Sequence, residues 1–436
     1  MAHYTREDIV RMVEEEDVEF IRLQFVDTFG NLKNMAMAAE QLDRILDHQC
    51  MFDGAGIRGY NTDDLDELLL IPDLDTFTIF PWRPQRGRVA RFICDIKYPD
   101  GTPFMADPRH ILKKVLKEAE REGYTFNVGP ESEFFLFDLD EEGNATTKTS
   151  EKGDYFDIGP VDAGENVRRE IVLFLSEMGF EMESSHHSNE AAQHQINFKF
   201  DDAQRTADNL MTYKLTVRTV AKRHGLCATF MPKPNYGKRG AGMFFNMFLC
   251  KDGKNIFDDA SSPDGLSEDA YHFMAGIMNH IKGMTLINNP IINSYKRLVP
   301  GYNAPVNISW SHKNRSPLVR MTTTGILGAR MILRSPDGAC NPYLVLAGCL
   351  AAGLDGIRNR LEPPVCMDDV LEGGKTFDIL PRTLFEAVSE FEKDEFLQNV
   401  YGEQLSQILI SKKKEEWNQY CEQVTSWEVE KYLDRI

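Results

Sequence analysis

The sequence predicts a mixed fold of helices and strands, divided into a small N-terminal unit and a larger C-terminal unit. Side chains alternate in character over residues 20–26, ahead of a turn at residues 27–30, which indicates an early strand. Asp107 and Pro108 open an amphipathic helix in the way that N-cap and first-turn residues do. Strands and long helices then alternate toward the end of the chain.

The individual elements follow from local signals. Thr5 is placed to cap a first helix, and glycines close the long helices. The further elements we expect are a helix near residues 39–48, a strand at 126–139, helices at 166–179 and 206–225, a helix that begins at Asn341-Pro342, and a helical tail from Gln404. The helix at Asp107 marks the boundary without a flexible linker, which gives predicted domains 1–105 and 106–436.

Composition excludes several classes of partner. The formal net charge is −19, and the one basic run, residues 412–414, is followed directly by two glutamates, so we expect no nucleic-acid partner. Eight cysteines form no Cys-x-x-Cys pair, which argues against disulfides and structural zinc and favours a cytoplasmic location. No segment resembles a signal core or is apolar for long enough to span a bilayer, so we expect no membrane partner.

One strand carries a pair of carboxylates suited to metal chemistry. Glu131 and Glu133 are two residues apart, so their side chains leave the strand on the same face. Paired carboxylates suit a hard divalent ion such as magnesium or manganese. Two glutamates on an ordinary solvent-facing strand are the alternative.

An ordered set of motifs runs along almost the whole chain. Its segments are Phe52-Asp53-Gly54, Ile71-Pro72-Asp73-Leu74-Asp75-Thr76, Gly129-Pro130-Glu131, Glu133-Phe134-Phe135, Tyr155-Phe156-Asp157, residues 228–234, residues 293–302, Asn314-Arg315-Ser316-Pro317 and Asn341-Pro342-Tyr343-Leu344. This set resembles the class I glutamine synthetases, and the short C-terminal tail is similar to that of the subtype that is not adenylylated.

The resemblance implies an α+β fold, with an N-terminal beta-grasp-like domain and a C-terminal glutamine-synthetase catalytic-type domain whose antiparallel sheet is surrounded by helices. It implies self-association as a dodecamer of two stacked hexameric rings, with active sites between neighbouring subunits. It also implies an ATP-dependent glutamate–ammonia ligase that uses magnesium or manganese. Thr62 stands where the short subtype has an arginine of feedback inhibition, so that control is not predicted here.

Four of the six metal-ligand positions that the resemblance implies carry other residues. Glu131 and Glu133 are the two that remain. The replaced positions are Ser188, Gln195, Phe244 and Ile332, and the aspartate that follows them in the family is Asn197 here. Magnesium gives up its water reluctantly and needs charged oxygen ligands in exchange. We therefore expect no firmly bound metal or ATP cofactor, and a ligase reaction slowed by orders of magnitude.

The arginines of the implied substrate site are retained. The implied substrate-binding residues are Arg297, Arg334 and Gly240, and the implied phosphate-facing residues are Arg315 and Arg320. Arg239 replaces an asparagine and adds a further cation. A guanidinium group recognises carboxylates in pairs, so a small carboxylated molecule is the ligand we expect. Arginines that serve only in structural ion pairs are the alternative.

The implied ammonium site is less complete. Asp53 and Tyr155 match family residues there, and Asp53 is the implied catalytic residue. Ser188 and Asn303 stand at positions where the family has glutamates. Because a small cation is bound by several negative charges, we expect this site to be weakened.

Two expectations concern how the altered cleft is filled. Without metals, Glu131 and Glu133 are expected to pair with the retained arginines. Phe244 and Phe248 alternate with Asn246 on one strand face, so both rings are expected to project into the cleft rather than into the core.

A cluster of histidines suggests a replacement metal site as a further hypothesis. His186, His187, Glu190 and His194 are close in sequence, and such residues can bind zinc. The three histidines also belong to the ordinary family pattern, where they are not the principal ligands. A structural role is therefore the alternative.

Three functions remain open from the sequence. The first is a pseudoenzyme-like assembly that binds a carboxylated small molecule. The second is a repurposed, metal-independent enzyme that uses Glu131, Glu133 or Asp53 as a general acid or base on an amino or dicarboxylic acid. The third is a residual ATP-dependent glutamate–ammonia or glutamate–amine ligase.

Overall fold

The computed structural model describes residues 4–60, 67–83, 86–325, 328–369 and 377–436. Thr62 lies outside the described residues. The described strands form two sheets, one of five and one of ten strands. No helix among the described residues combines the length and apolar character needed to cross a membrane.

The N-terminal unit is built on the five-stranded sheet. Its elements are α1 (Arg6–Glu15), β1 (Val18–Val26), β2 (Leu32–Ala38), α2 (Leu42–Leu46), β3 (Met51–Asp53), β4 (Glu67–Ile79) and β5 (Arg88–Lys97). The strand order is β2-β1-β5-β4-β3, in which β1 and β5 are parallel and the other neighbours antiparallel. This is the beta-grasp-like arrangement that the resemblance implied.

Local chemistry fixes the first turns of this unit. Thr5 caps α1 in a capping box, since its Oγ1 accepts from the Asp8 amide while the Asp8 carboxylate accepts from the Thr5 amide. After β1, the Asp27 carboxylate accepts from the backbone amides of Phe29 and Asn31. Gly30 closes this turn with φ +80°, a conformation that favours glycine.

The C-terminal unit holds the ten-stranded sheet and most helices. Its elements are α3 (Pro108–Arg121), β6 (Tyr124–Asp138), α4 (Glu165–Glu177), β7 (Met182–His187), β8 (Gln193–Phe198), β9 (Asp201–Asp202), α5 (Ala203–Arg223), β10 (Leu226–Thr229), β11 (Met243–Lys251), β12 (Lys254–Asn255), α6 (Glu268–Asn288), α7 (Ile292–Arg297), β13 (Trp310–Ser311), β14 (Val319–Thr322), β15 (Arg330–Leu333), α8 (Pro342–Asn359), α9 (Leu384–Lys393), α10 (Glu395–Tyr401), α11 (Glu403–Cys421) and α12 (Ser426–Tyr432). Helices α3, α4, α5, α8 and α11 lie where the sequence predicts them, whereas the long helix α6 was not predicted.

The ten-stranded sheet is antiparallel except for the β13–β14 pair. Its main order is β13-β14-β15-β11-β6-β8-β7, while β9 and β10 pair with β6, and β12 pairs with β11. Helices α6 and α8 pack closely against each other because glycines let their backbones approach. A Cβ on Gly276 would lie 2.0 Å from the Ala352 carbonyl oxygen, and one on Gly356 would lie 2.0 Å from that of His272.

One buried arginine joins the two units. Arg109, at the start of α3, is 3% exposed and forms ion pairs with Asp73 and Asp95 of the N-terminal sheet and with Asp208 of α5. Its Nε and Nη2 both donate to Asp208, at 3.0 and 2.8 Å. The boundary helix is therefore anchored to both sides of the junction.

Candidate active-site cleft

A cleft of about 440 Å³ lies over one face of the ten-stranded sheet. The register between neighbouring strands determines which residues lie side by side at the bottom of the cleft. Glu131 lies opposite Asn197 and Phe244, and Glu133 lies opposite Gln195. The predicted site residues that line the cleft are Glu131, Glu133, Gln195, Arg239, Gly240, Phe244, Arg297, Arg315, Arg320, Ile332 and Arg334. The period-2 prediction that both glutamates share one face agrees with this arrangement.

Glu133 accepts hydrogen bonds from two neutral protein groups. One carboxylate oxygen accepts from the Ser188 hydroxyl at 2.9 Å, and the other accepts from the Gly242 amide at 2.8 Å. Burial raises the pKa of Glu133 above its ordinary value, although both hydrogen bonds oppose that shift. Ser188 therefore contributes a donor where a metal site needs a second carboxylate.

Glu131 also has a neutral partner. Its carboxylate accepts from the Asn246 amide at 3.0 Å. In the part of the chain that the structure describes, neither Glu131 nor Glu133 forms a direct ion pair with an arginine, so the expected glutamate–arginine pairing is wrong. The physical reason is that Ser188, Asn246 and the Gly242 amide already supply short hydrogen bonds to the two carboxylates, while Arg297 donates to backbone oxygens instead.

Amides along β8 bond to one another. The Gln195 side-chain amide donates to Asn197 at 3.0 Å, and Asn197 donates to the Ser184 hydroxyl at 3.1 Å. These hydrogen-bonded amide side chains have the shape of acidic ligands but supply no negative charge. With Phe244 and Ile332 at two further ligand positions, the residues present do not fit a pair of magnesium or manganese ions.

Of the two phenylalanines expected in the cleft, only Phe244 lines it. The Arg334 guanidinium lies 5.1 Å from the centre of the Phe244 ring, a cation–π contact. The prediction for Phe248 is wrong, because this side chain is buried in the core, where its ring lies 5.5 Å from that of Phe200. Phe248 lies on the same strand face as Phe244, but farther along β11, opposite Asn127. At that position Phe200 packs over the sheet.

Arg297 and Arg334 differ in how firmly the protein holds them. Arg297 is 4% exposed and donates to the backbone oxygens of Arg334, Ser335 and Pro336, at 3.1, 2.8 and 3.4 Å. The hydrogen bonds that Arg334 donates to described residues are long, at 3.4 Å, and reach the carbonyls of Pro317 and Asn303. Burial, together with the neighbouring Arg297 charge, lowers the pKa of Arg334 to about 10.

Three other arginines of the cleft have no side-chain partner among the described residues. The Nε of Arg320 is buried and makes no hydrogen bond. Arg315 and Arg239 line the same cleft, and Arg239 is held through its backbone amide, which donates to Glu190. The described lining thus contains five arginines against two glutamates, so it favours an anion.

Asp53 lies away from this cleft. It ends β3, and its carboxylate accepts from the Ala55 amide at 2.8 Å. Tyr155 does line the cleft. A single chain therefore does not bring the two implied ammonium residues together, and a site shared between copies stays a prediction.

The histidine cluster differs from the one predicted. His187 and His194 meet Glu151 and Asp162, and all four are buried within 4.8 Å of one another. His186 instead stacks on Phe156 at 4.7 Å. Glu190 is bound to the Arg239 amide, so it too lies outside the cluster. Sequence reasoning missed Glu151 and Asp162 because they lie in an irregular segment without periodicity.

Hydrogen bonding in this cluster opposes a metal. Arg168 donates to Nδ1 of His194 at 2.8 Å, and an arginine has no acceptor, so Nδ1 must accept. Nε2 of neutral His194 then carries the proton and faces Glu151 at 3.5 Å. Both Asp162 oxygens are also bound by Arg168. In this structure the cluster forms a buried ion-pair network, which leaves a zinc ion few free ligand atoms.

This network should make stability depend on pH through His187. Burial lowers its pKa, but the hydrogen bonds to Glu151 and to the Ser188 carbonyl, together with the charges of Glu151 and Asp162, outweigh that effect and raise the pKa above its ordinary value. Its contribution is therefore complete below about pH 6.5 and is lost as pH rises through the raised value. His187→Gln should cost about 1–3 kcal/mol of unfolding free energy at pH 6 and less at pH 9, measured by urea denaturation.

The matched control is His48→Asn, at an exposed position with φ +60° that asparagine tolerates. As a surface change, it should alter the free energy of unfolding by no more than about 0.5 kcal/mol. Equal losses at pH 6 and pH 9 in His187→Gln would contradict a charged His187. At low pH the network loses its stabilising effect when Glu151 becomes protonated. The histidine partners of Glu151 lower its pKa to about 2, against the effect of burial.

Comparison with known proteins relates the whole chain to one family. The family described as "Glutamine synthetase, catalytic domain" matches residues 105–432, and "Glutamine synthetase, beta-Grasp domain" matches residues 17–99. The chain is 51% identical over 442 residues to a glutamine synthetase of Clostridium saccharobutylicum, covering 100% of both chains. It is 47% identical over 438 residues to one of Staphylococcus aureus (strain N315), covering 99% and 98%.

Solved structures agree with this relation. The structure described as "GmaS/ADP complex-Conformation 1" superposes with a TM-score of 0.89 at 32% identity, covering 98% of this chain and 99% of that one. A glutamine synthetase of Plasmodium falciparum gives a TM-score of 0.89 at 24% identity, covering 99% of each chain, which is a likeness of fold.

Proposed function

Because this chain belongs to the class I-like glutamine synthetase family, we propose that it is a member that binds a carboxylated small molecule in its cleft without divalent metals. In this proposal it does not carry out metal-dependent synthesis of glutamine. The function is that of a sensor or regulatory subunit that keeps the family fold.

One observation carries the proposal. Of the six implied ligand positions, only Glu131 and Glu133 keep a carboxylate, and both accept short hydrogen bonds from neutral protein groups. A magnesium ion would have to displace those donors and would find no charged oxygen at the other positions. The stabilisation of phosphoryl-transfer charge that such ions supply is therefore missing.

The arginines indicate what the cleft binds instead. Arg320 keeps a buried donor without an acceptor, and leaving such a group unpaired costs free energy that an anionic ligand would recover. Arg315 and Arg239 are available beside it. A small molecule with two or more carboxylates could bridge these groups, and the Phe244 ring limits its size.

We expect Arg320→Gln to weaken binding of citrate or glutamate about 10–100-fold, because a charge-assisted hydrogen bond contributes about 1.5–3 kcal/mol. The measurement is calorimetric titration in EDTA with the full chain. Lys313→Gln is the matched control, since Lys313 is an exposed cation near the cleft that does not line it. Affinity that requires manganese, or equal affinity in both variants, would contradict a metal-independent anion site.

A second candidate function rests on Glu133. Its buried carboxyl has a raised pKa and lies in the cleft beside the arginines, which are properties of a general acid or base. The protein would then be a metal-independent enzyme on an amino or dicarboxylic acid. Product analysis over a panel of such acids, with Glu133→Gln as the inactive reference, separates this enzyme from a binding protein.

Self-association is part of the proposal, in the form of a dodecamer of two hexameric rings in the cytoplasm. Large apolar side chains are exposed beside the cleft and in α12, including Ile158 and Trp427, which are 74% and 59% exposed. The eight cysteines are all unpaired, which supports a reducing compartment. Light scattering of the purified chain should give a large oligomer, and a stable monomer would oppose this form.

A further inference from the structure

A second cavity, of about 920 Å³, lies where the N-terminal sheet meets α5 and α11. It shares no lining residue with the cleft described above. Strands β1 and β2 form one wall, and α5 and α11 form the other. A molecule held there would contact both units of the chain.

Lys214 of α5 is a buried cation in this wall. It is 6% exposed, and its ammonium donates one hydrogen bond, to the Cys340 carbonyl at 3.1 Å. Among the described residues it forms no ion pair. Burial lowers its pKa, and the neighbouring Arg218 lowers it further. A charge buried in this way is costly unless an opposite charge compensates it, and two of its N–H groups remain available.

Arg218 lies one helical turn beyond Lys214 on the same face of α5. Its guanidinium lies 5.6 Å from the centre of the Phe230 ring, and it has no hydrogen bond or ion pair within the described part of the chain. Two like charges at this spacing repel each other. An anion between them would turn that repulsion into attraction.

Further cations surround the Phe29 ring, which lies in the turn between β1 and β2. The Phe29 ring has Arg58 at 5.5 Å and Lys413 at 5.3 Å from its centre. Glu416 pairs with Lys413 at 2.7 Å, but no carboxylate of the described residues pairs with Arg58. Arg22 of β1 donates to the neutral oxygen of Asn34 at 3.1 Å. Both guanidinium groups therefore keep unused donors toward the cavity.

The lining of the cavity is positively charged, whereas the protein as a whole carries a negative net charge. The chain has 68 acidic and 49 basic residues, yet one acidic side chain, Glu416, lines the cavity within the described ranges. The cationic residues there are Arg22, Lys33, Arg58, Lys214, Arg218 and Lys413. We propose that this cavity is a second binding site, for a small anion that carries two or more negative charges.

The ligand chemistry shared by phosphate esters and polycarboxylates fits this site. Guanidinium groups bind both kinds of anion through paired hydrogen bonds, and a buried ammonium adds a point charge. The volume is twice that of the cleft, so it accommodates more than one acidic group. Binding would link β1 to α5 and thereby stabilise the junction of the two units.

Calorimetric titration of the full chain with pyrophosphate and, separately, with citrate tests the site. We expect Arg218→Gln and Arg58→Gln each to weaken binding at least about tenfold, the equivalent of about 1.4 kcal/mol. Arg223→Gln is the matched control, since Arg223 lies on the same helix but pairs with Glu170 outside the cavity. Binding of pyrophosphate alone would identify a phosphate site, and binding of citrate alone a polycarboxylate site.

The result that overturns the site is binding of neither anion, or the same affinity in Arg218→Gln, Arg58→Gln and Arg223→Gln. Arg320→Gln separates this site from the cleft. If Arg320→Gln removes all binding while the cavity variants keep it, the anion occupies the cleft and the second site is disproved. Failure of anion binding in the cleft leaves the cavity result unaffected, because the two sites have no residue in common.

Discussion

Purified protein should form glutamine from glutamate, ammonia and ATP at least about 10³-fold more slowly than the Clostridium saccharobutylicum relative measured beside it. The reason is the loss of charged ligands at Ser188, Gln195, Phe244 and Ile332, so that divalent ions cannot stabilise the transferring phosphoryl group. Losing about 4 kcal/mol of that stabilisation corresponds to about 10³ in rate. The measurement is the rate of glutamine formation with saturating magnesium or manganese.

Glu133→Gln is the control for trace contamination in that assay. If the residual rate comes from a contaminating enzyme, Glu133→Gln should leave that rate unchanged. A rate within tenfold of the relative's that falls sharply in Glu133→Gln would show that the cleft still performs the family's reaction. The replaced ligands would then have substitutes elsewhere.

Replacing Arg109 by methionine should lower the free energy of unfolding by about 3–5 kcal/mol. The variant leaves three partly or fully buried carboxylates, those of Asp73, Asp95 and Asp208, without their shared cation. Lys113 also reaches Asp95 and Asp73, and so limits the loss at those two. Chemical denaturation followed by circular dichroism measures the effect.

The matched control for Arg109 is Arg121→Met, at the exposed C-terminal end of the same helix. Surface changes of this kind usually stay within about 0.5 kcal/mol. If both variants lose the same stability, the junction does not depend on the buried ion pairs. A large loss in Arg109→Met alone supports them.

The parts of the fold that could be predicted are those set by neighbouring residues. The cap at Thr5 and the Asp107-Pro108 helix start depend on contacts within a few positions. The shared face of Glu131 and Glu133 follows from strand geometry alone. Their partners could not be predicted in the same way, because Ser188 and Gly242 come from distant parts of the chain.

The errors have the same origin. Phe248 was expected in the cleft because it shares a strand face with Phe244, but only the folded chain shows that Phe200 covers that end. His186 was grouped with His187 by sequence, whereas successive residues of β7 point to opposite sides of the sheet. The cluster contains Glu151, which lies in an irregular segment, instead of His186. Tertiary contacts therefore decided the chemistry at each of these positions.

High overall identity to glutamine synthetases does not conflict with an altered site. The relatives share about half of their residues with this chain, spread over its full length. The core and the helix starts account for much of what a family must keep to fold. Six ligand positions form a small part of that total, so a cleft can change its chemistry while the architecture persists.

Two carboxylates, each bonded to neutral donors, cannot hold divalent ions in this cleft. Electron paramagnetic resonance of manganese titrated into the chain, with and without a non-hydrolysable ATP analogue, tests it directly. We expect the protein to leave the manganese spectrum unchanged at micromolar concentrations, whether or not the analogue is present. Loss of that spectrum with a stoichiometry of one or two ions per chain, restored to the free form by Glu131→Gln and Glu133→Gln, would contradict it.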